Sequence, residues 1–213
     1  MTNREIRLKS DRGFTLTELM VSLVISGVLM TAVYAVFNSQ QKSYAVQDQL
    51  AASHQNLRAA MNFMVKEIRM AGFDPLKDPT AGINQAEANK IVFKIRPDSN
   101  DDGKVDENDL LKEITYSLYD SGMDADLIKD DLGRKIGAGS NQPVAQNIDT
   151  LDFVYLDEEG KPLEFPIVNL REIRAVQVTL VAKTAKPDPS FKQNGGFRTK
   201  TLRERVVCRN LAF

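Results

Sequence analysis

The chain is poor in the residues on which most catalytic and metal chemistry depends. Its 213 residues include one Cys, Cys208, one His, His54, and no Trp. A lone Cys excludes an intramolecular disulfide and a Cys metal cluster. A lone imidazole leaves only His54 for any Ser-His-Asp or Cys-His site, and a zinc site would need carboxylates almost throughout. No nucleophile motif, phosphate loop or Rossmann glycine pattern is present, so an enzyme is disfavoured. Neither sign of charge dominates: 28 Lys and Arg oppose 29 Asp and Glu. That balance argues against a strongly cationic nucleic-acid binder. Proline is missing throughout Phe14–Phe73. Hydrophobic residues at 42% and charged residues at 27% are ordinary for a globular protein and argue against wholesale disorder.

What the chain does have is concentrated at its N-terminus. Residues 1–13, MTNREIRLKSDRG, carry four cations against Glu5 and Asp11. The following run, FTLTELMVSLVISGVLMTAVYAVF, spans Phe14–Phe37 and holds 17 apolar residues in 24. As a helix it would be about 36 Å long, enough to cross a bilayer core. The basic leader predicts a cytoplasmic N-terminus with the bulk of the chain outside. Three readings fit. One is a secretory signal peptide cleaved near Val33-Tyr34-Ala35. Another is a plain membrane anchor. The third is a leader cut between Gly13 and Phe14, ahead of the apolar run. Glu18 bears on the choice, because a carboxylate inside an apolar span costs about 2.5–3.5 kcal/mol, and neither a signal peptide nor an anchor needs one. A cut after Gly13 would free an amine at Phe14, and such an amine could pair with a neighbouring subunit's Glu18 at low dielectric.

The segment GFTLTELMVSLVISGVLM resembles the N-terminal segment of type IV prepilins and type II secretion pseudopilins. The resemblance implies cleavage between Gly13 and Phe14 by prepilin peptidase, N-methylation of Phe14, and an assembly role for Glu18. In one respect the chain departs from many major pilins, which carry a helix-breaking Pro in the later part of this segment. Here Gly27 is the remaining site at which the helix would loosen.

Beyond the span, residues 38–73 keep a helical pattern. Leu50, Leu57 and Met64 recur every seven residues, as do His54, Met61 and Ile68, and together they form one apolar stripe. Gly72 and then Pro75 predict the stop, giving one helix from about Phe14 to Ala71. His54 is expected at the edge of the packed face, and Met61, Met64 and Met70 as core filling. Strands are predicted at Lys90–Ile95, Glu113–Tyr119, Thr150–Leu156 and Ala175–Ala182. Shorter ones are expected at Asp126–Lys129 and at Leu163–Val168, after a Glu158-Glu159-Gly160 turn. Arg198–Cys208 reads as a final edge strand whose charges resist aggregation. Residues 186–196 read as loop. The fold class is α+β, a long N-terminal helix packed on an antiparallel sheet. Four segments follow: a leader at 1–13, a membrane or filament-core helix at 14–37, its amphipathic continuation at 38–73, and a β-rich head at 74–213.

The order of a prepilin start, KEIRMAGFDP, an acidic loop, EITYSL and QNIDTLDFVYLDEEG is similar to that of the PilW-type minor pilins of type IV pili. These are related to the J-type minor pseudopilin of type II secretion. The resemblance implies a low-abundance subunit that primes filament assembly near the tip, together with other minor pilins and the major pilin. It also implies an inner-membrane precursor with a periplasmic head, and later a place in the surface pilus.

A second chemical signal is DSNDDGKVDEND, residues 98–109, which follows the spacing of an EF-hand calcium loop. Asp98, Asn100 and Asp102 occupy positions one, three and five, and Gly103 the turn at six. Lys104 would offer its carbonyl at seven, Asp106 a water contact at nine, and Asp109 the closing carboxylate at twelve, where Glu is usual. Hard oxygens without nearby His or Cys suit Ca2+. The flanking segments read as strands, so the expectation is an isolated calcium loop, not a paired sensor. A solvated acidic turn, rich in Asp and Asn for turn geometry, is the alternative reading of the same residues. Two alternatives to the minor-pilin reading remain at this stage: a type II secretion minor pseudopilin, and a DNA-uptake or adhesion module using the basic C-terminal strand. Nucleic acid is not the favoured partner.

Overall fold

The structure, a computed structural model, describes residues 13–122 and 128–211. The leader at 1–12 and residues 126–127 of the expected Asp126–Lys129 strand lie outside the described residues. The chain divides into two units, Met1–Gln47 and Asp48–Phe213.

Helix α1 spans Leu16–Arg69 without interruption, passing through Gly27. Thr15 and Glu18 start it with a reciprocal capping box. The Thr15 hydroxyl accepts the Glu18 N–H at 3.3 Å, and Glu18 Oε2 accepts the Thr15 N–H at 2.9 Å, satisfying two orphan donors of the first turn. In the first unit every described side chain from Phe14 to Phe37 is exposed. Among the described residues this is the one stretch of helix long and apolar enough to span a membrane. Its hydroxyls turn back on their own helix: Ser22 donates to the Glu18 carbonyl at 2.7 Å, Ser26 to Ser22 at 2.7 Å and Thr31 to Val28 at 2.8 Å.

In the second unit the stripe read from the sequence is buried. Leu57, Met61, Met64 and Ile68 are fully inaccessible, while Leu50 and His54 lie half-buried at its margin. Truncating any of the four to Ala would cost about 2–5 kcal/mol. Met70, expected in the core, is instead exposed, because it follows the last helical turn and falls off the stripe. Gly72 ends the helix with φ +81°. A β-carbon there would lie 2.8 Å from Leu211 Cδ2 and 3.0 Å from the Asn210 carbonyl, so both the backbone and the space demand glycine.

Eight strands form two antiparallel sheets where the sequence suggested one. The first is a five-stranded meander of β1 (Gly82–Ala86), β2 (Lys90–Ile95), β3 (Lys112–Tyr119), β4 (Asp131–Ile136) and β5 (Gln142–Ala145). The second contains β6 (Ile148–Leu156), β7 (Ala175–Lys183) and β8 (Thr199–Val207). Alternation directs Ile114 and Tyr116 of β3, Phe153 and Tyr155 of β6, and Val178 and Leu180 of β7 into one core with the helix stripe. The Leu163–Val168 strand is not formed. Only a single bridge, Leu156 to Pro162, continues from β6, since Pro166 lacks a ladder donor. At Asp126–Lys129, the described Ile128 and Lys129 are not in a strand, and pairing begins at Asp131.

Candidate functional site

Two places in the fold hold the site residues named from the sequence. At the N-terminus, Gly13 precedes an exposed Phe14, and Glu18 stands in the first turn of α1. The Thr15 hydroxyl also donates to Glu18 Oε2 at 2.9 Å. Within one chain the carboxylate thus caps its own helix. The signal was legible, because Thr15-Leu16-Thr17-Glu18 is a Thr-x-x-Glu capping sequence. The same arrangement leaves the acid at the end of an apolar cylinder, held only by short local bonds. A cation arriving there competes with one hydroxyl and one amide.

The acidic loop lies between β2 and β3. Asp98 accepts the N–H groups of Asp101 and Gly103, both at 2.8 Å. Gly103 has φ +81°, the left-handed turn required at the sixth position. Asn100 accepts the Asp102 N–H at 3.3 Å and donates to Asp102 Oδ2 at 2.9 Å. Asp102 Oδ1 accepts the Lys104 N–H at 2.9 Å, and Asp106 Oδ1 that of Asn108 at 2.8 Å. The buried Asp109 closes the loop, accepting the N–H of Ser99 at 2.6 Å and of Asp106 at 3.1 Å. Those two amides, first Ser99 and then Asp106, hold its carboxyl below the usual carboxylate range. The structure thus joins the two ends of the predicted loop through Asp109 and builds its turn around Asp98. It does not draw the carboxylates together. Among the described residues no three Asp, Glu, His or Cys side chains gather as a metal group. The donor set suits a hard cation, while the loop is held in this form by Asx turns.

Several charged clusters escaped sequence reasoning. Arg96, buried behind the loop, donates to the Asp109 carbonyl and, at 2.7 Å, to Asp74 Oδ1. Burial pushes the Asp74 carboxyl up, but Arg96 and the N–H groups of Asp78 and Leu76 outweigh it and bring it below the usual value. Glu67 of α1 meets Arg134 and Tyr116 of the first sheet. Asp188 binds Arg198 at 2.8 and 3.0 Å, under the ring of Phe191. Lys183 Nζ lies 2.6 Å from the buried Asp130 Oδ2, although neither Asp130 oxygen accepts a well-aligned hydrogen bond. The distance makes this an ion pair of opposite charges, with alignment left imperfect. Cys208 is buried, and burial pushes its thiol up to about 12, which makes it an inert core residue.

Comparison with known proteins agrees with the N-terminal reading. Residues 8–34 match the family model described as the prokaryotic N-terminal methylation motif. No curated protein matches the chain by sequence. In fold it is similar to a type IV-like pilin from Thermus thermophilus, at 15% identity and a TM-score of 0.50, covering 75% of this chain and 97% of that one.

Proposed function

We infer that the chain is a pilin-like protein: an N-methylation motif leads into a long helix followed by antiparallel sheets, a fold similar to that of a type IV-like pilin. Such a motif implies processing by prepilin peptidase and assembly with other pilins, and with the apolar helix it fits a membrane-anchored precursor. A pilin-like fold behind that motif indicates a structural protein, not an enzyme.

Within that frame, we propose that the protein is a minor pilin that supports filament assembly as part of a minor-pilin complex near the tip, with its head outside the cytoplasm. The observation that carries the reading is the exposed apolar helix with a single acid, Glu18, in its first turn, directly behind Gly13 and Phe14. After cleavage at Gly13, Phe14 becomes the methylated N-terminus. Glu18 then exchanges its Thr15 bonds for the terminal amine of a neighbouring subunit. The exchange is favourable because a charge-assisted pair at low dielectric is stronger than bonds to neutral donors. The test is mass spectrometry of the N-terminus of the protein purified from its host. The reading requires a start at methylated Phe14; a start at Val36 would make the protein a secreted one. Deletion distinguishes the pilus from a secretion pseudopilus, since loss of twitching supports the first and loss of protein secretion the second.

The acidic loop is proposed to hold Ca2+ through Asp98, Asn100, Asp102, Asp106, Asp109 and the Lys104 carbonyl. Its support is the loop spacing, the Gly103 turn and closure by Asp109. A bound cation would neutralise mutually repelling carboxylates and fasten β2 to β3. Millimolar Ca2+ outside the cytoplasm would fill even a weak site.

A further inference from the structure

The two sheets have four lateral edges, and three of them are protected. β1 is five residues long and bulged between Ile83 and Gln85. β5 is four residues long and contains Pro143. β6 is covered along its outer side, where Phe153 N–H donates to the Ala88 carbonyl at 2.7 Å and Ile148 N–H to that of Asp130 at 2.6 Å. Short, bulged, proline-bearing or covered edges are how folded proteins avoid unwanted pairing.

β8 is neither short, bulged, proline-bearing nor covered; its cations repel a like edge but not an acidic strand. Its nine residues pair with β7 in unbroken register from Thr199 to Val207. The ladder fixes which of its backbone groups are free. Thr184 N–H donates to the Arg198 carbonyl at 2.9 Å, and Cys208 N–H to that of Arg174 at 2.9 Å. With no register shift between them, the even-numbered residues of β8 bond to β7. The N–H and C=O groups of Thr201, Arg203 and Arg205 therefore point away from the sheet, and no partner for them occurs among the described residues.

The side chains give this edge a sign. Residues 198–209 carry five cations against one acid, Glu204. Lys200, Arg203 and Arg205 form no ion pair among the described residues. Arg203 and Arg205 are exposed on one face of the strand, while Leu202 is half-buried on the other. An incoming strand would set side chains beside Arg203 and Arg205 at alternate positions, and beside Leu202 at the intervening ones.

We propose that the free edge of β8 is a docking site for an extended acidic segment of another protein chain, which adds a fourth strand to the second sheet. Its recognition pattern alternates Asp or Glu, facing Arg203 and Arg205, with apolar residues on the side of Leu202. Backbone hydrogen bonds supply the register and the two guanidinium groups select the partner's charge. The proposal does not depend on the assembly reading.

The experiment is amide hydrogen exchange by NMR on the full chain in zwitterionic detergent micelles, with three probes. One is a decapeptide of alternating Glu and Val, another its Lys–Val counterpart, and the third a single-stranded oligonucleotide. The expected result is that the Thr201, Arg203 and Arg205 amides exchange freely alone and slow at least tenfold with the Glu–Val peptide only. Arg203→Pro removes an N–H that β7 does not use and should abolish the effect. The double variant Arg203→Glu, Arg205→Glu keeps every backbone group and should transfer the preference to the Lys–Val peptide, which keeps the test decisive even if the proline variant misfolds. Four results would each overturn the proposal: slow exchange without any probe, equal response to both peptides, response only to the oligonucleotide, or slowing that follows protein concentration alone.

Discussion

Glu67 of α1 and Arg134 of β4 form a two-point ion pair, Nε to Oε2 at 2.8 Å and Nη2 to Oε1 at 2.6 Å. Arg134 also lies over the Phe63 ring, 5.6 Å from its centroid. The buried Tyr116 donates its hydroxyl to the same carboxylate, and burial together with that acceptor pushes the phenol well above its ordinary value. The cluster fixes the rotation of the helix on the first sheet, where apolar packing alone is non-directional. Glu67→Ala strands a guanidinium and a hydroxyl away from water, so we expect a loss of about 3 kcal/mol. Chemical denaturation should show this as a lower midpoint at unchanged m-value. Glu67→Gln keeps an acceptor for Tyr116 and should lose less.

Acid should loosen the 184–198 loop. Asp188 accepts from Ser190 and Arg198, and these bonds, Ser190 first, lower its carboxyl to about 2. A carboxylate depressed in the folded state contributes stability above its unfolded value, about 3.9. That contribution is lost as pH falls through the folded one. The window is therefore from about pH 4 down to about pH 2. Acid titration of thermal stability should be shallower in Asp188→Asn, with the difference confined to that window.

At the start of the helix, two neighbouring residues should separate by function. Thr15→Ala removes a cap and costs about 1 kcal/mol, visible as faster exchange of the first-turn amides, with incorporation into filaments retained. Glu18→Ala loses the same cap and also the pairing with a neighbour's amine, so incorporation should fail. Equal behaviour of the two variants would reduce Glu18 to a capping residue.

In the acidic loop, calorimetry on the full chain should register Ca2+ binding that Asp102→Ala removes. Asp98→Ala should perturb the loop even without calcium, because Asp98 already holds the Asp101 and Gly103 amides. No calcium heat in the unaltered chain would leave these carboxylates as turn formers.

Substitution of Gly72 should be costly for its size. Gly72→Ala meets a positive φ and the Leu211 side chain at 2.8 Å, and we expect a loss of about 1–3 kcal/mol in thermal denaturation.

Periodicity revealed the elements whose burial it reports. The α1 stripe and strands β2, β3, β6 and β7 lie within two residues of the predicted bounds; β3 alternates between buried and half-buried along its centre, whereas β2 and β7 each bury three residues in a row and are legible as apolar runs. The missed strands have physical reasons. β4 reads DLGRKI, and its Gly133 looks like a turn, yet a β-carbon there would lie 2.6 Å from the Tyr119 ring. The glycine exists to admit that ring. β5 contains Pro143, which only an edge position tolerates, and β1 opens on Gly82. At the candidate sites, spacing exposed Gly13, Phe14, Glu18 and the loop, since each is a local pattern. The Arg96–Asp74–Asp109 and Glu67–Arg134–Tyr116 clusters join residues distant in sequence, and no local period encodes them.

The five Ser and Thr side chains between Phe14 and Phe37 find oxygen partners in their own segment: Thr15 and Thr17 with each other, and Ser22, Ser26 and Thr31 on carbonyls of the preceding turn. Its short hydroxyls consequently make no demand on whatever surrounds the span. Passage from an apolar lipid into a bundle of like helices would then require no Ser or Thr hydroxyl to be resolvated or re-paired.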